Sequence, residues 1–292
     1  MEEDINPALW VHETHKGIVS LAFKVEATLF SGQSPFQKVD VIQTEGHGKV
    51  LLNDGIVMIS ERDEAVYHEL LAHVPLFVHP DPKKVLIIGG GDGGTAREVL
   101  RHPGVERVVM VEIDKMVVDA CREHMPAVSG ALDDPKLELL IDDGVKYVAD
   151  TDESFDVAII DSTDPIGPAA PLFDSAFYEN TAKCLADDGI MITQSESPYY
   201  DPEIQSSMFS NQRPHFPKLH MYLFSNLTYP GGLWSFGFAS KKYCPLGDFR
   251  KERVDAAGFD TFYYNARIHR AAFALPQFAK KALADLLDPV PE

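Results

Sequence analysis

The sequence predicts an α/β fold, in which helices cover both faces of a parallel sheet and a small antiparallel β domain precedes it. From residue 80 onward, continuous apolar runs alternate with helix-like stretches, a pattern typical of a parallel sheet buried on both faces. Glycines or carboxylates follow most of these runs. Before residue 75 the apolar segments are short and separated by turn residues, which favours an antiparallel sheet.

The antiparallel β domain is predicted over residues 1–75. Its strands are expected in the segments rich in Val, Ile, Leu and Phe, at 18–28, 39–44, 49–53 and 55–60. Turns are expected at Ser31-Gly32, Gly46-His47-Gly48 and Asn53-Asp54-Gly55. The Asn-Asp-Gly turn is a strong hairpin signal. Residues 61–73 then have helical spacing, with one apolar face formed by Ala65, Leu70, Leu71 and Val74.

The second domain is predicted over residues 76–292. Its five parallel strands are expected at 85–88, 108–111, 137–141, 157–160 and 190–193. Helices are expected at 95–101, 115–124, 175–185 and, after Pro276, 277–287. Residues 219–228 and 233–240 are expected to form a hairpin at the sheet edge. The loop 164–172 follows a strand end and is a candidate active-site lid.

The composition excludes several classes of protein. The chain has 26 Lys and Arg against 45 Asp and Glu, a net charge of −19, whereas nucleic-acid binding needs a basic face. An acidic cleft instead concentrates cationic small molecules. Three distant cysteines, at positions 121, 184 and 244, predict reduced thiols rather than disulfides or a metal site. Because no apolar run could span a bilayer and the acidic N-terminus is unlike a signal peptide, a cytoplasmic protein without membrane partners is expected.

The glycine-rich turn from Gly89 to Gly94 follows a predicted strand and opens a helix. Glycines allow a tight turn and a close approach of a ligand to the backbone. Gly89 and Gly91 are the first two glycines of the G-x-G-x-x-G template, which Gly94 completes. Glu112 ends the next strand at about the 20-residue distance typical of a carboxylate that binds ribose hydroxyls. A Rossmann-like nucleoside site is therefore predicted, and the alternative is a tight strand–helix turn without a ligand.

Asp92 lies inside that turn, where a dinucleotide would place its pyrophosphate. A carboxylate there would repel phosphate, so the residue favours a nucleoside that lacks phosphate and carries positive charge, such as a sulfonium nucleoside. The alternative is that Asp92 only caps the following helix. Asp143 ends the third strand and either accepts from an adenine amino group or belongs to an ordinary turn.

Asp161 and Asp164 follow the fourth strand and are expected to meet Asp92 at one sheet edge. Unpaired carboxylates in such a cluster are unfavourable, and a cationic substrate would remove that cost. From the residues alone, His68 is expected to be a structural histidine. His12 and His15 are spaced like one face of a helix, but no further ligands join them, so no metal site is predicted.

Five motifs taken together resemble the spermidine synthase family of polyamine aminopropyltransferases. They are Glu61-Arg62-Asp63-Glu64, the glycine-rich turn, the segment from Asp161 to Pro168, Thr228-Tyr229-Pro230 and Tyr263-Tyr264-Asn265. The resemblance implies a methyltransferase-type Rossmann-like sheet. It also implies transfer of an aminopropyl group from decarboxylated S-adenosylmethionine to putrescine, giving spermidine and 5′-methylthioadenosine. No cofactor beyond this co-substrate is implied, and family members assemble as homodimers or homotetramers through the N-terminal domain.

The resemblance also assigns roles to individual residues. Asp161 is the catalytic proton acceptor, helped by Tyr67. The nucleoside contacts, with the glycine turn, fall on Gln37, Gly89, Gly91, Glu112, Asp143, Gly144 and Pro168. The amine contacts fall on His68, Asp92, Asp164, Gln194 and Tyr229. The segment 195–200 lies in a region tied to acceptor choice, so cadaverine, agmatine and spermidine stay open as acceptors beside putrescine.

Two other functions are compatible with the same residues. A methyltransferase acting on a diamine would use the same sheet and another sulfonium donor. A polyamine-binding protein without activity would bind its ligand tightly and show no turnover, and Asp161 argues against it. Trp234 either lines the channel for the alkyl chain or packs in the core.

Overall fold

The computed structural model describes residues 9–165 and 167–291, and two sheets organise these parts of the chain. The first sheet has five antiparallel strands in the order β1-β2-β3-β4-β5. The strands are β1 (Leu9–His15), β2 (Val19–Gln33), β3 (Lys38–Thr44), β4 (Gly48–Asn53) and β5 (Ile56–Ser60). The small antiparallel β domain of the predicted fold class is confirmed.

The turn between β4 and β5 has the geometry that its sequence predicts. Asp54 and Gly55 have φ angles of 50° and 82°, and positive φ at both central residues defines the type I′ hairpin turn. Asn53 pairs with Ile56 across the turn. The hairpin signal is therefore confirmed.

The turn expected at Ser31-Gly32 is wrong, because both residues lie inside β2. The strand passes two irregularities and continues, so that Gly32 pairs with Val39 of β3. The glycine serves packing rather than turning, since a Cβ atom there would lie 2.9 Å from the Met116 sulfur.

Strand β1 is a further correction, because it was not expected and it contains His12 and His15. Side chains alternate between the two faces of a strand, so residues three apart point in opposite directions. His12 is exposed and His15 is buried. The expected helical face therefore does not exist.

The second sheet has seven strands in the order β11-β12-β10-β9-β6-β7-β8. Strands β6 to β10 pair in parallel, and β12 pairs antiparallel with both β10 and β11. The strands are β6 (Lys84–Gly89), β7 (Arg107–Glu112), β8 (Leu137–Ile141), β9 (Phe155–Asp161), β10 (Leu185–Gln194), β11 (Lys218–Ser225) and β12 (Leu233–Ser240). The Rossmann-like sheet and the hairpin at its edge are confirmed.

Short helices connect and cover these strands. They are α1 (Glu64–Val78), α2 (Gly94–Leu100), α3 (Lys115–His124), α4 (Pro126–Ser129), α5 (Gly144–Asp150), α6 (Ser175–Lys183), α7 (Pro202–Gln212), α8 (Lys251–Asp255), α9 (Ala266–Ala272) and α10 (Gln277–Ala282). Helix α10 ends before residue 287, where its end was expected. The candidate lid contains a 3₁₀ helix, Gly167–Phe173. In the part of the chain that the structure describes, no helix combines the length and apolar character of a membrane span.

Consecutive residues of the central strands pack on opposite faces of the second sheet. Val85 and Ile87 of β6 belong to the core that contains α1 and α2. Leu86 and Ile88 belong to a second core, with Phe177 of α6. The sheet is therefore covered on both sides, which explains why its strands have no polar alternation.

Helix α1 is buried on every side rather than on one face. All side chains from Val66 to Val78 are buried, because the helix packs against α2 and strands β9, β10 and β11. Its polar side chains therefore need partners. Glu69 accepts hydrogen bonds at 2.6–2.8 Å from the backbone N–H groups of Phe262, Tyr263 and Tyr264. The domain boundary predicted at residue 75 falls inside this helix and stays a prediction.

Asp63 precedes α1 and ties it to the loop after β11. The residue is 3% exposed, and its carboxylate accepts hydrogen bonds from the backbone N–H groups of Leu227 and Thr228 at 2.8 and 3.1 Å. The Ser60 hydroxyl donates to the same carboxylate at 2.5 Å. The loop that carries Tyr229 is thereby fixed to the start of α1.

We expect Asp63→Asn to lower the free energy of unfolding by about 1–3 kcal/mol, because the amide leaves buried donors without a carboxylate partner. Urea denaturation followed by circular dichroism measures the change. Asp133→Asn is the control, because the Asp133 side chain is 85% exposed beside Arg122, and its expected effect is within about 0.5 kcal/mol. Equal unfolding free energies for the two variants would contradict the role of Asp63.

Candidate active site

A cavity of about 320 Å³ lies beyond the carboxyl ends of β6, β7, β8 and β9. Strand β6 lies between β7 and β9, so the chain reverses its direction of winding at this strand, and ligands bind at such switch points. The site residues predicted from sequence that line the cavity are Gln37, Tyr67, Gly89, Gly91, Asp92, Glu112, Asp143, Gly144, Asp161, Asp164 and Tyr229. The fold thus brings together side chains that are up to 192 positions apart in the numbering, Gln37 and Tyr229 being the extremes.

Two of the predicted site residues, His68 and Gln194, do not line this cavity. His68 lies behind Asp92, and Gln194 lines a smaller adjoining cavity. The side chain of Pro168 lies outside the described residues.

The glycine turn fits tightly against the end of β9. Gly89 and Gly90 have φ angles of 82° and 71°, and a Cβ atom on Gly89 would lie 2.1 Å from the backbone oxygen of Asp161. A Cβ atom on Gly91 would lie 2.9 Å from a carboxylate oxygen of Glu112. The glycines therefore allow the backbone, Glu112 and Asp161 to approach one another.

Glu112 presents a buried carboxylate to the cavity. One oxygen accepts a hydrogen bond from the backbone N–H of Gly91 at 3.0 Å, and the other accepts one from the backbone N–H of Asp114 at 2.8 Å. Burial raises the pKa of Glu112 to about 7, although these hydrogen bonds oppose the shift. Each oxygen keeps a lone pair that can accept a hydrogen bond from a ligand hydroxyl.

Gln37 and Asp143 line the same cavity as Glu112. The side-chain amide of Gln37 donates to Asp114 at 3.1 Å, so the first sheet contributes to this wall. Asp143 caps α5, because its Oδ1 accepts the backbone N–H groups of Val145 and Lys146 at 2.8 and 3.4 Å. The turn-forming alternative for Asp143 is therefore present, and its position at the cavity is compatible with a ligand contact as well.

Asp161 ends β9 and receives two hydroxyl hydrogen bonds. Tyr67 donates to Oδ1 at 2.8 Å, and Thr95 donates to Oδ2 at 2.6 Å. Burial and the negative charge of Asp92 raise the pKa of Asp161, against the opposing effects of His68 and the two hydroxyls. Sequence reasoning missed Thr95, although its position in the first turn of the helix that follows the glycine turn could have identified it.

Asp92 has two kinds of partner. Its Oδ1 accepts the backbone N–H of Gly94 at 2.7 Å, so it does cap the turn, and the same oxygen lies 3.2 Å from Nε2 of His68. The side chain also lines the cavity. The two alternatives for Asp92 are therefore compatible with each other.

His68 lines neither this cavity nor the smaller adjoining one, and its predicted contact with the amine stays a prediction. The residue is 0% exposed, and its Nδ1 lies 2.6 Å from Glu64 while its Nε2 faces Asp92. Burial disfavours a charged ring, but the two carboxylates outweigh it and raise the pKa of His68 to about 10. The two carboxylates therefore favour the protonated form of the buried His68 ring.

Among the described residues, one atom each from His68, Asp92 and Asp161 lie within 4.8 Å of one another, as metal ligands would. Nδ1 of His68 is hydrogen-bonded to Glu64, however, and the nearby carboxylates raise the pKa of the ring to about 10, which favours the form that also carries a hydrogen on Nε2. A metal ligand needs a free lone pair on that ring. The trio therefore suits a metal ion poorly, and the expectation that the protein needs no metal stays a prediction.

A smaller cavity adjoins the first one and shares Tyr67, Asp164 and Tyr229 with it. Its other walls include Glu13, Gln194 and Trp234. The hydroxyl of Tyr229 donates to the backbone oxygen of Met58 at 2.6 Å. Trp234 donates to the backbone oxygen of Pro230 at 3.0 Å, so it both lines a cavity and belongs to the core.

Glu13 is a carboxylate that sequence reasoning missed, because β1 was not recognised as a strand. Its carboxylate accepts the backbone N–H of Val57 at 2.9 Å. Burial, with a smaller contribution from Asp164, raises the pKa of Glu13 to about 7. The β-favouring residues Trp10, Val11 and Thr14 were the signal that could have found the strand.

More acidic groups lie behind Gln194. Its side-chain amide donates to Glu196 at 3.2 Å, and Asp201 pairs with Lys16 at 2.6 Å. In the described parts of the chain, Asp92, Asp161 and Asp164 form no ion pair with lysine or arginine, and the cation beside Asp92 is His68. The cavity rim therefore carries negative charge that the protein does not fully neutralise.

Two family models match the chain. The model described as the spermine/spermidine synthase domain matches residues 64–251, and the model described as the spermidine synthase tetramerisation domain matches residues 9–61. The second description favours an oligomer and falls on the five-stranded sheet.

Curated relatives are similar along nearly the whole chain. The polyamine aminopropyltransferase of Thermoanaerobacter sp. strain X514 is 46% identical over 285 residues, covering 97% of this chain and 99% of the relative. The polyamine aminopropyltransferase of Methanocaldococcus jannaschii is 44% identical over 289 residues, covering 98% of each.

Solved structures of spermidine synthases are similar to this chain as well. Spermidine synthase in complex with the transition-state analogue AdoDATO has a TM-score of 0.93 and 44% identity, covering 94% of this chain and 95% of that chain. Spermidine synthase from Thermotoga maritima has a TM-score of 0.92 at 44% identity, covering 95% of each chain. The chain therefore belongs to the spermidine synthase family of polyamine aminopropyltransferases and is an enzyme that transfers aminopropyl groups.

Proposed function

We propose that this enzyme transfers the aminopropyl group of decarboxylated S-adenosylmethionine to putrescine, releasing spermidine and 5′-methylthioadenosine. The observation that carries the proposal is the group of carboxylates from Asp92, Asp161 and Asp164 on the cavity wall. Enclosed carboxylates that lack lysine or arginine partners favour positively charged guests. The sulfonium donor and the diamine are both cationic.

The donor is proposed to lie across the ends of β6, β7 and β8. Glu112 would accept hydrogen bonds from both ribose hydroxyls, because each of its oxygens has one lone pair beyond its backbone hydrogen bond. Asp143 would accept from the adenine amino group, with Gln37 lining the same cavity. S-adenosylmethionine itself carries a carboxylate that Asp92 and Asp161 would repel, whereas the decarboxylated donor does not.

The reaction is proposed to be a displacement at the methylene carbon beside the sulfonium. The amine nitrogen forms the new C–N bond, the C–S bond breaks, and its electron pair stays on the sulfur, which becomes a neutral thioether. The amine must first lose a proton, and an alkylammonium has a pKa near ~10. Asp161 is the proposed acceptor of that proton, because burial and Asp92 raise its pKa and make it a stronger base than an exposed carboxylate.

Tyr67 and Thr95 are proposed to orient Asp161 for this step. Their hydrogen bonds occupy one lone pair on each carboxylate oxygen, which leaves others for the amine. Since the sulfonium is already a good leaving group, the protein mainly positions the two reactants and accepts the proton.

The other end of the acceptor is proposed to occupy the smaller cavity, which measures about 40 Å³. Asp164 and Glu13 would hold the distal ammonium there, with Gln194 and Tyr229 beside the alkyl chain. The small volume supports a short diamine such as putrescine over spermidine as the acceptor. No cofactor or metal takes part in the proposed reaction.

We also propose that the enzyme works as a homodimer or homotetramer assembled through the first sheet. Three large apolar side chains at its start are exposed, Leu9 by 63%, Trp10 by 48% and Ile18 by 74%. Leu9 and Trp10 lie at one end of the β1–β2 hairpin and Ile18 at the other, so a second copy of the chain would cover them as separate contacts. The match of this sheet to a tetramerisation domain supports the same inference.

The donor and the acceptor are tested together with purified enzyme. Decarboxylated S-adenosylmethionine is supplied with putrescine, cadaverine, agmatine or spermidine, and S-adenosylmethionine is supplied with putrescine, with products separated by mass spectrometry. We expect spermidine and 5′-methylthioadenosine from the decarboxylated donor with putrescine as the best acceptor. Methylputrescine without spermidine would show that the enzyme is a methyltransferase instead.

We expect Asp161→Asn to lower kcat by about 10²–10⁴-fold, because the amide cannot accept the amine proton. Binding of 5′-methylthioadenosine, measured by calorimetry, should persist in this variant. Asp156→Asn is a control on the same strand, where the carboxylate accepts the backbone N–H groups of Lys83 and Lys84 at 2.7 and 2.8 Å. A kcat for Asp161→Asn equal to that of the wild type would remove the residue from this role.

We expect Glu112→Gln to weaken 5′-methylthioadenosine binding more than putrescine binding. The pKa of Glu112 is raised to about 7, and ribose hydroxyls favour the ionised form. Wild-type affinity should therefore fall as the pH drops below 7, and the glutamine variant should lose this dependence. Calorimetry between pH 6 and 8 measures both effects, with Glu138→Gln on exposed β8 as the control. A wild-type affinity independent of pH would contradict the assignment.

A further inference from the structure

Four charged groups form a series of contacts that leads from the surface of α2 to the cavity, and two of them, His68 and Asp92, are buried. Arg97 Nη2 lies 2.8 Å from a Glu64 oxygen, the same oxygen lies 2.6 Å from His68 Nδ1, and His68 Nε2 lies 3.2 Å from Asp92 Oδ1. Positive and negative groups alternate along this series. Only Asp92, at its end, lines the cavity among these four residues.

We propose that Glu64 and Arg97 are positioning residues of the amine site: they hold His68 as a cation against Asp92, so that Asp92 and Asp161 both stay negatively charged for the substrate. The inference rests on the proposed function, because it assumes that an amine binds beside these two carboxylates. Neither Glu64 nor Arg97 lines the cavity, so both act through His68.

Both ring nitrogens of His68 face carboxylates: Nδ1 is hydrogen-bonded to Glu64, and Nε2 lies at ion-pair distance, 3.2 Å, from Asp92 without a hydrogen bond to it. Ionised carboxylates only accept hydrogen bonds, and a neutral imidazole donates from one nitrogen alone. With Glu64 on one side and Asp92 on the other, the doubly protonated ring satisfies both contacts. Arg97 adds a second cation to Glu64, and these partners lower the pKa of Glu64 to about 2 despite its burial.

Packing fixes the position of the ring. His68 has 0% exposure, and a Cβ atom on Gly94 would lie 2.2 Å from its Cε1. The ring therefore lies directly against the backbone at the start of α2, where there is no room for water to replace it. Tyr67 packs edge-on at 5.4 Å between ring centroids.

The cation matters because Asp92 and Asp161 are close together. Two neighbouring carboxylates tend to share one proton, since both cannot ionise without repulsion. The groups that face the His68 ring are Glu64 and Tyr67 of α1, Asp92 of the glycine turn and Asp161 of β9. His68 is the cation in this set, and its charge opposes the rise in the pKa of Asp161.

The test is Glu64→Gln, which keeps the side-chain shape and removes the anion behind His68. We expect the KM for the amine to rise at least about tenfold, with the affinity for 5′-methylthioadenosine unchanged. Nitrogen NMR of selectively labelled histidine at pH 8 should show two protonated nitrogens on His68 in the wild type and one in the variant. The resonance is assigned with His68→Gln.

Glu69→Gln is the matched control. Glu69 lies on the same helix and is 1% exposed, and it binds backbone N–H groups away from the cavity. The Glu69→Gln variant should have a lower free energy of unfolding, with the KM for the amine and the NMR spectrum of His68 unchanged. An equal rise in KM for Glu69→Gln, or an unchanged KM for Glu64→Gln, would overturn the proposal.

The wild-type spectrum decides the matter if Glu64→Gln does not fold, because a neutral His68 at pH 8 would by itself overturn the proposal. Failure of the proposed function is distinguishable from this outcome. It would appear as the absence of spermidine among the wild-type products, while the protonation state of His68 could still be measured.

Discussion

The structure depends on one constraint, which is the gathering of negative charge at the carboxyl ends of a parallel sheet. Strands β6, β7 and β9 deliver Asp92, Glu112 and Asp161 to one cavity because parallel strands all end at the same edge. Burial of such groups is unfavourable unless a cation compensates them. The fold satisfies part of this demand with hydroxyls, backbone N–H groups and one buried imidazolium, and leaves the remainder for cationic ligands.

Helix α1 makes this arrangement workable. A helix buried on all sides has no solvent to satisfy its polar groups, so each one must find a partner inside the protein. Asp63 fixes the Tyr229 loop, Tyr67 orients Asp161, His68 faces Asp92, and Glu69 fixes the C-terminal segment. The same contacts that stabilise the helix therefore set the geometry of the site, which links stability to function along a single element.

Much of the fold was readable from the sequence because its signals are local. Continuous apolar runs identified the parallel strands, and Asn-Asp-Gly identified a hairpin by the φ angles that its residues tolerate. Strand β1 and Glu13 were missed because the burial of Glu13 depends on contact with Val57 of β5, which is distant in the sequence. The contact of His68 with Asp92 was also beyond local patterns, since it forms only when α1 packs against α2. Residue roles came mainly from motifs, and the structure adds the ion-pair partners of His68 to them.

The wall of the substrate site is shared between the two sheets, with Glu13, Gln37 and Met58 coming from the first one. The segment associated with subunit assembly in the family thus also shapes the pocket. Recombination that exchanged the first sixty residues between relatives would carry part of the acceptor site with it. A substitution in this segment that changes its packing against the second sheet would therefore change the wall of the cavity as well.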